Sequence, residues 1–106
     1  MEKSKEEIES LQEFCQIKPN FPLAEHNLGL AYGRLKDYGK AEVHLLRAIE
    51  LMGENYSLAI CNLGIIYCEM DKLSEAEKQL NRAKELHAPT YSLNELQKCV
   101  DDLKER

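Results

Sequence analysis

Four cysteines and three histidines are the residues of this chain best suited to metal binding or nucleophilic chemistry. They are Cys15, Cys61, Cys68 and Cys99, with His26, His44 and His87. Cys61 and Cys68 share one helical face because they are seven residues apart, and a thiolate-imidazole metal site can be drawn with His26. Structural zinc sites, however, usually use closely spaced ligand pairs, which this sequence lacks. We therefore expect reduced thiols that pack as small apolar side chains.

Enzymatic catalysis is the second chemistry to consider, and the sequence does not favour it. The histidines have no serine or cysteine partner at a recognisable catalytic spacing, and there is no glycine-rich phosphate loop. The carboxylates are spread along what should be solvated helix faces. We expect surface or helix-cap roles for the histidines, no catalysis, no cofactor and no metal.

Length and charge limit the remaining classes of function. The chain has 106 residues, which suits one domain, and a net charge of −5 with acids and bases interspersed. It therefore offers no basic stripe for nucleic acid and no polybasic patch for an anionic membrane. Its charged first residues are followed by no continuous apolar stretch, so we expect no signal peptide, no transmembrane span and a cytoplasmic location.

Helix signals follow one another at short intervals along the chain, and no alternating pattern indicates a strand. Ser-x-x-Glu patterns at Ser4, Ser74 and Ser92 predict capping boxes, and Pro22 suits a first helical turn. Helix ends are expected before Pro19, at Gly53 and before Pro89. The predicted helices are residues 4–18, 22–36, 39–52, 57–71, 74–87 and 92–105.

An internal repeat organises these helices. Residues 27–32, NLGLAY, recur 35 residues later as residues 62–67, NLGIIY. Three further positions match at the same offset, since Ala41, Leu45 and Ala48 correspond to Ala76, Leu80 and Ala83. The repeating unit therefore contains two helices, and short connections make them an antiparallel hairpin.

This pattern resembles the tetratricopeptide repeat (TPR) family, which reads L-G-x-x-Y, then A-x-x-x-F, then a proline. The resemblance implies an all-α, right-handed superhelical stack of antiparallel helix pairs in one domain, 1–106. It divides the chain into a half repeat and N-terminal cap at 1–21, repeats at 22–56 and 57–90, and a capping helix at 91–106. One departure is that Glu25 and Ile60 stand where the family often has a bulky aromatic residue.

The repeat also predicts which residues form the core. Gly29 and Gly64 recur in register inside helices, which indicates helix crossings too close for a side chain, with the paired alanines opposite. The apolar stripes assigned to the core are Leu28, Ala31, Tyr32 and Leu35 in the first repeat and Leu63, Ile66, Tyr67 and Met70 in the second.

The first and last predicted helices are both expected to cap the helical stack. Glu7 and Phe14 replace the small residues that a preceding helix would need, so Met1 is expected near a natural beginning. The first helix should pack on helix 22–36 through Ile8, Leu11 or Cys15. The last helix should bury Leu93, Leu96, Val100 and Leu103 and keep its charged end in water.

A second stripe on the first helix of each repeat is the predicted partner-binding surface. In the TPR family this face lines a concave groove that holds peptides. Carried over by position, the groove residues are Leu23, His26, Asn27, Leu30 and Arg34, with Leu58, Cys61, Asn62, Ile65 and Glu69. The resemblance therefore implies a scaffold or adaptor that binds another protein.

The chemistry of the partner is narrowed by two of these positions. Family members that bind chaperone tails clamp a terminal carboxylate with basic and amide side chains, but Leu30 and Ile65 stand where polar groups are needed. An amphipathic helix or extended apolar peptide is expected instead. Three alternatives remain: the last helix covers the stripe, the exposed side of Ile8, Leu11, Phe14 and Cys15 forms a homodimer, or, as a remote third, the chain has a metal- or thiol-dependent role.

Overall fold

The computed structural model describes residues 2–53 and 55–106, and within these ranges all regular secondary structure is helical. The helices are α1 (Glu2–Ile17), α2 (Pro22–Arg34), α3 (Tyr38–Met52), α4 (Ser57–Glu69), α5 (Leu73–Glu85) and α6 (Thr90–Lys104). The predicted all-α fold is confirmed, and the predicted bounds differ by at most two residues. Met1, the predicted natural beginning, lies outside the described residues.

The predicted helix start at Pro22 and the predicted helix end at Gly53 are both found in the structure. Pro22 is the first residue of α2. A backbone N–H at this position would have no acceptor within the helix, so its absence in proline costs no helical hydrogen bond. Gly53 caps α3 with φ of 104°, a conformation that side-chain-bearing residues rarely adopt.

The three capping boxes are wrong. Helices α1 and α6 begin two residues before Ser4 and Ser92, and α5 begins one residue before Ser74. Helix α6 begins early because of Pro89, the residue before it. Pro89 has an extended backbone with ψ of 138°, and the helix begins at the next residue, Thr90. A side-chain cap occurs instead at Asp37, whose Oδ1 accepts a hydrogen bond from the Lys40 N–H at 3.4 Å.

The turns inside the two hairpins are equivalent. Lys36 and Asp71 hold φ of 63° and 57°, and the next residue donates its N–H back to the tyrosine of the repeat signature. These hydrogen bonds join Asp37 N to Tyr32 O at 3.0 Å and Lys72 N to Tyr67 O at 2.9 Å. Both are the long bond of a Schellman motif, which satisfies carbonyls that the helix end leaves free.

The helices group into two compact units, Met1–Glu54 and Asn55–Arg106. In the first unit, α2 packs against both α1 and α3. In the second, α4 and α5 pack against each other and α6 contacts both. The predicted subdivision into repeats stays a prediction.

Each unit has its repeat glycine at a close helix approach, as predicted, but the nearest side chains are leucines and not the predicted alanines. A Cβ atom on Gly29 would lie 2.7 Å from Leu45 Cγ in α3. A Cβ atom on Gly64 would lie 2.8 Å from both Leu96 Cδ atoms in α6. Distances this short exclude a side chain unless the neighbour moves.

The cores follow the repeat. All four alanines of the second helices are fully buried, and the predicted core stripes are buried except for Leu35 and Met70, which are partly exposed. Ile8 is buried and anchors the first helix. Leu96 and Val100 are buried on α6, whereas Leu93 and Leu103 are partly exposed.

Candidate functional site

The predicted stripe on α2 is apolar at its beginning and polar at its end. Leu23 is 51% exposed, and Asn27 and Leu30, four and seven residues later, are partly exposed on the same face. Arg34 completes the stripe and donates a hydrogen bond from Nη1 to Glu7 Oε2 at 3.0 Å. This cation is therefore already paired with a carboxylate of α1.

The equivalent stripe on α4 has the same distribution. Leu58 is 43% exposed, Asn62 and Ile65 are partly exposed, and Glu69 is exposed. Large apolar side chains on a protein surface are ordinary when they are single. Here they recur at one position of two repeats, each followed by an asparagine and a branched aliphatic residue.

Two of the predicted surface residues are buried, which is a correction. His26 is 7% exposed and Cys61 is 1% exposed, so neither presents its side chain to a partner. Burial lowers the pKa of His26 and, with the nearby Glu95 carboxylate, raises the pKa of the Cys61 thiol. Burial therefore favours the neutral form of both groups, and neither belongs to the exposed surface.

A cleft of about 180 Å³ adjoins the α2 stripe inside the first unit. It is lined by Leu11, Phe14, Phe21, Leu23, Ala24 and Asn27. The Phe14 and Phe21 rings pack with centroids 5.2 Å apart at an interplanar angle of 35°. The structure thus brings together residues that the sequence assigned to two different surfaces, the peptide groove and the exposed face of the half repeat.

Sequence reasoning missed a buried polar cluster around Glu25. This carboxylate is only 5% exposed. His44 Nδ1 lies 2.8 Å from Oε2, and Arg47 Nε lies 3.5 Å from Oε1. Cys15 donates from Sγ to Oε1 at 3.7 Å. The available signal was Glu25 itself, since its counterpart in the second repeat is Ile60.

The partners of Glu25 also form contacts that order the first unit. The His44 ring stacks on Tyr32, with centroids 5.4 Å apart and planes 11° apart. The Tyr32 hydroxyl accepts a hydrogen bond from Gln12 of α1 at 3.1 Å. We therefore assign the cluster to structure, because it ties α1 and α3 to α2.

The thiols are free and not activated. Burial is the main cause that raises the pKa of all four thiols, and the pKa of Cys68 is raised to about 11. A nucleophilic cysteine needs a lowered pKa instead. Within residues 2–53 and 55–106 no group of three or more His, Cys, Asp and Glu side chains could hold a metal ion.

None of the helices described has the length and hydrophobicity to cross a membrane.

Comparison with known proteins agrees with this architecture. The model of the tetratricopeptide repeat family matches residues 21–88. The first TPR of Spaghetti (RPAP3), solved with the HSP90 peptide SRMEEVD, is 30% identical with a TM-score of 0.83; the match covers 96% of this chain and 81% of that chain.

A second similar structure is the TPR2B domain of yeast Sti1 in its pHsp70 complex. It is 17% identical with a TM-score of 0.80, and the match covers 92% of this chain and 80% of that chain. At this identity the likeness shows the fold alone. A search of curated protein sequences found no match.

Proposed function

This chain belongs to the tetratricopeptide repeat family, and we propose that it is an adaptor that binds a peptide or amphipathic helix of another protein. The observation that carries the proposal is the exposure of Leu23 and Leu58, which occupy one position in two repeats. The 30% identical TPR of Spaghetti, solved with a bound peptide, supports the same kind of activity. We place the binding surface of each unit on the stripe residues that reach solvent: Leu23, Asn27, Leu30 and Arg34 in the first unit, and Leu58, Asn62, Ile65 and Glu69 in the second.

Charge favours an apolar ligand over an acidic tail. The α2 stripe holds one cation, Arg34, which is paired with Glu7, and the α4 stripe holds the anion Glu69. An acidic peptide such as SRMEEVD needs several cationic donors to compensate its carboxylates, whereas the stripes add only the neutral amides of Asn27 and Asn62. Leucine and isoleucine side chains supply none, but they can bury apolar side chains of a ligand.

The proposal includes an adaptor without catalysis, in the cytosol, that binds neither nucleic acid nor membrane. Cys61, Cys68 and Glu25 are buried, Cys15 and Cys99 are partly buried, and the exposed stripe holds no arrangement of nucleophile and base among the residues described. Such a surface can hold a ligand in place but has no group positioned to activate it.

Selection of peptides from a display library on the immobilised full chain tests the proposal. We expect the selected peptides to contain bulky apolar residues at helical or extended spacing, with micromolar dissociation constants of about 1–100 μM by calorimetry. Failure to select any sequence above background would count against peptide binding.

The peptide SRMEEVD gives a second and sharper test of ligand chemistry. We expect it to bind at least about tenfold more weakly than the selected peptides, because the stripe lacks compensating cations. Amidation of its C terminus should change the affinity by less than about twofold. Tight binding that amidation abolishes would show a carboxylate clamp and would refute the apolar ligand.

Self-association through α1 is the second candidate function. Leu11 and Phe14 are partly exposed, and Ile17 is among the most exposed apolar side chains described, although Ile8 is buried and cannot contribute. Sedimentation of the wild type and Ile17→Lys distinguishes a dimer formed through α1 from a monomer. A concentration-dependent dimer that the lysine abolishes supports self-association, and a monomer at all concentrations excludes it.

A further inference from the structure

The α1–α2 cleft has the size and lining of a pocket for one side chain. Its volume is about 180 Å³, and an engineered protein cavity of about 150 Å³ holds a benzene molecule. Five of the six lining residues are apolar, and none is charged. The occupant should therefore be a single uncharged, bulky apolar group.

The two phenylalanines favour an aromatic occupant. The Phe14 and Phe21 rings are already paired at 5.2 Å with tilted planes, within the 4.5–7 Å range of favourable aromatic pairs. A third ring entering the cleft can extend this packing, whereas an aliphatic side chain gains burial and dispersion contacts without the ring–ring interaction. The one polar lining group, the Asn27 amide, can donate and accept hydrogen bonds with a peptide backbone.

We propose that this cleft is an anchor pocket for one aromatic side chain of the partner peptide. The inference rests on the proposed function, because Leu23 and Asn27 belong to both the α2 stripe and the cleft. The cleft continues the stripe towards α1, and it depends on Leu11 and Phe14 of the half repeat. An aromatic residue at one end of the ligand therefore fixes the register of the rest of the peptide.

Capped amino acids test the pocket separately from peptide binding. N-acetyl-phenylalanine methylamide and its alanine analogue are titrated into the isotope-labelled full chain and followed by NMR. We expect saturable shifts at Phe14, Phe21 and Leu23 with the phenylalanine compound only. Absence of saturable shifts, or saturable shifts confined to residues 55–106, overturns the pocket.

A matched pair of exposed apolar residues in the first unit supplies the variants. Leu23→Lys removes a lining residue, and Val43→Lys changes an exposed residue of α3 that belongs neither to the cleft nor to a stripe. Affinity for the phenylalanine compound should fall about tenfold or more with Leu23→Lys and less than about twofold with Val43→Lys. Leu23→Asn, a smaller polar replacement, repeats the test if the lysine variant is poorly folded. Equal effects of the Leu23 and Val43 variants refute the assignment.

Selected peptides then separate this inference from the proposed function. Replacing their aromatic residue by alanine should weaken binding to the wild type about tenfold or more and have little effect on binding to Leu23→Lys. Peptides that bind equally well without an aromatic residue refute the pocket and leave the adaptor function standing. Pocket binding of the phenylalanine compound with no peptide selected supports the pocket and refutes the adaptor function.

Discussion

The two units contain the same repeat but close their cores with different neighbours. In the first unit, Gly29 is covered by Leu45 of the following helix, and Glu25 is buried among partners from α1 and α3. In the second unit, Gly64 is covered by Leu96 of the terminal helix, and Ile60 occupies the position of Glu25 without any exposure.

This difference shows that the repeat fixes positions while the packed neighbours fix their chemistry. A carboxylate is tolerated at Glu25 because a histidine, an arginine and a thiol are placed around it. In the second repeat, Gln79 replaces His44, and its Oε1 atom is buried without a hydrogen-bond partner among the residues described. The same site is therefore built to hold charge in one unit and apolar volume in the other.

The largest expected effect comes from exchanging these two residues. Ile60→Glu should lower the free energy of unfolding by about 3–5 kcal/mol, because it buries a carboxylate without designed partners. Glu25→Ile should cost no more than about 1–2 kcal/mol, since His44 and Arg47 are 25% and 52% exposed and can turn to water. Urea unfolding measures both variants, and equal losses would show that the surroundings of the two positions do not differ as described.

The glycines should differ in their tolerance of alanine. At Gly29 the added Cβ meets the Leu45 branch point and, at 3.2 Å, the Ala41 carbonyl oxygen, so Gly29→Ala should cost about 1–3 kcal/mol. At Gly64 the two nearest atoms are the Cδ ends of Leu96 at 2.8 Å, and Gln79 Cβ follows at 3.2 Å, so the closest contacts are with the far end of a side chain. The gain in helix propensity of about 1 kcal/mol for alanine applies at both glycines. Gly64→Ala should therefore cost less than about 1 kcal/mol, and thermal unfolding that ranks the variants in the reverse order would contradict the packing.

Acid should destabilise the first unit through His26, whose counterpart in the second repeat is Cys61. Burial lowers the His26 pKa below its ordinary value of 6.5, so below that pH the unfolded chain binds the proton first. The stability contributed by neutral His26 is therefore fully present above pH 6.5 and is lost as the pH falls below that value. Between pH 7.5 and pH 5.5 the wild type should lose more unfolding free energy than His26→Gln, and an equal loss would exclude this contribution.

The smallest expected effect is a gain at Gln79. Gln79→Leu removes a buried acceptor that has no partner and should raise the unfolding free energy by up to about 1 kcal/mol. The matched change, His44→Leu, should instead lower it by about 1–3 kcal/mol, because Glu25 loses its closest donor. If urea unfolding shows that Gln79→Leu and His44→Leu change the unfolding free energy in the same direction, the polar clusters of the two units are equivalent.

Much of the fold could be predicted from the sequence because the repeat doubles every signal. The glycines at close crossings, the buried alanines and the turn positions all recur in register, so chance similarity is a poor explanation. Helix starts were predicted less well. The Ser-x-x-Glu pattern also suits the inside of a helix, and Pro89 sets the start of α6 before Ser92 is reached.

The candidate site was only partly predictable, because burial depends on neighbouring helices. His26 and Cys61 share a helical face with Leu23 and Leu58, and periodicity alone cannot distinguish the edge of a stripe from its exposed centre. The cleft was missed because it requires Phe14 of α1 and Phe21 of the connection to meet. Those residues are close in sequence, but only the packing of α1 on α2 gives the cleft its volume.

Calorimetric titration of one selected peptide into two double variants tests the proposed binding surface most directly. Leu30→Glu/Ile65→Glu changes the stripes, and Val43→Glu/Leu46→Glu changes two exposed apolar residues of α3 as a control. With helix content unchanged by circular dichroism, the stripe variant should lose at least about 100-fold in affinity and the control less than about threefold. Undiminished binding by the folded stripe variant, together with loss in the control, would move the interface to α3. Unfolding of the stripe variant would show instead that Leu30 and Ile65 belong to the core.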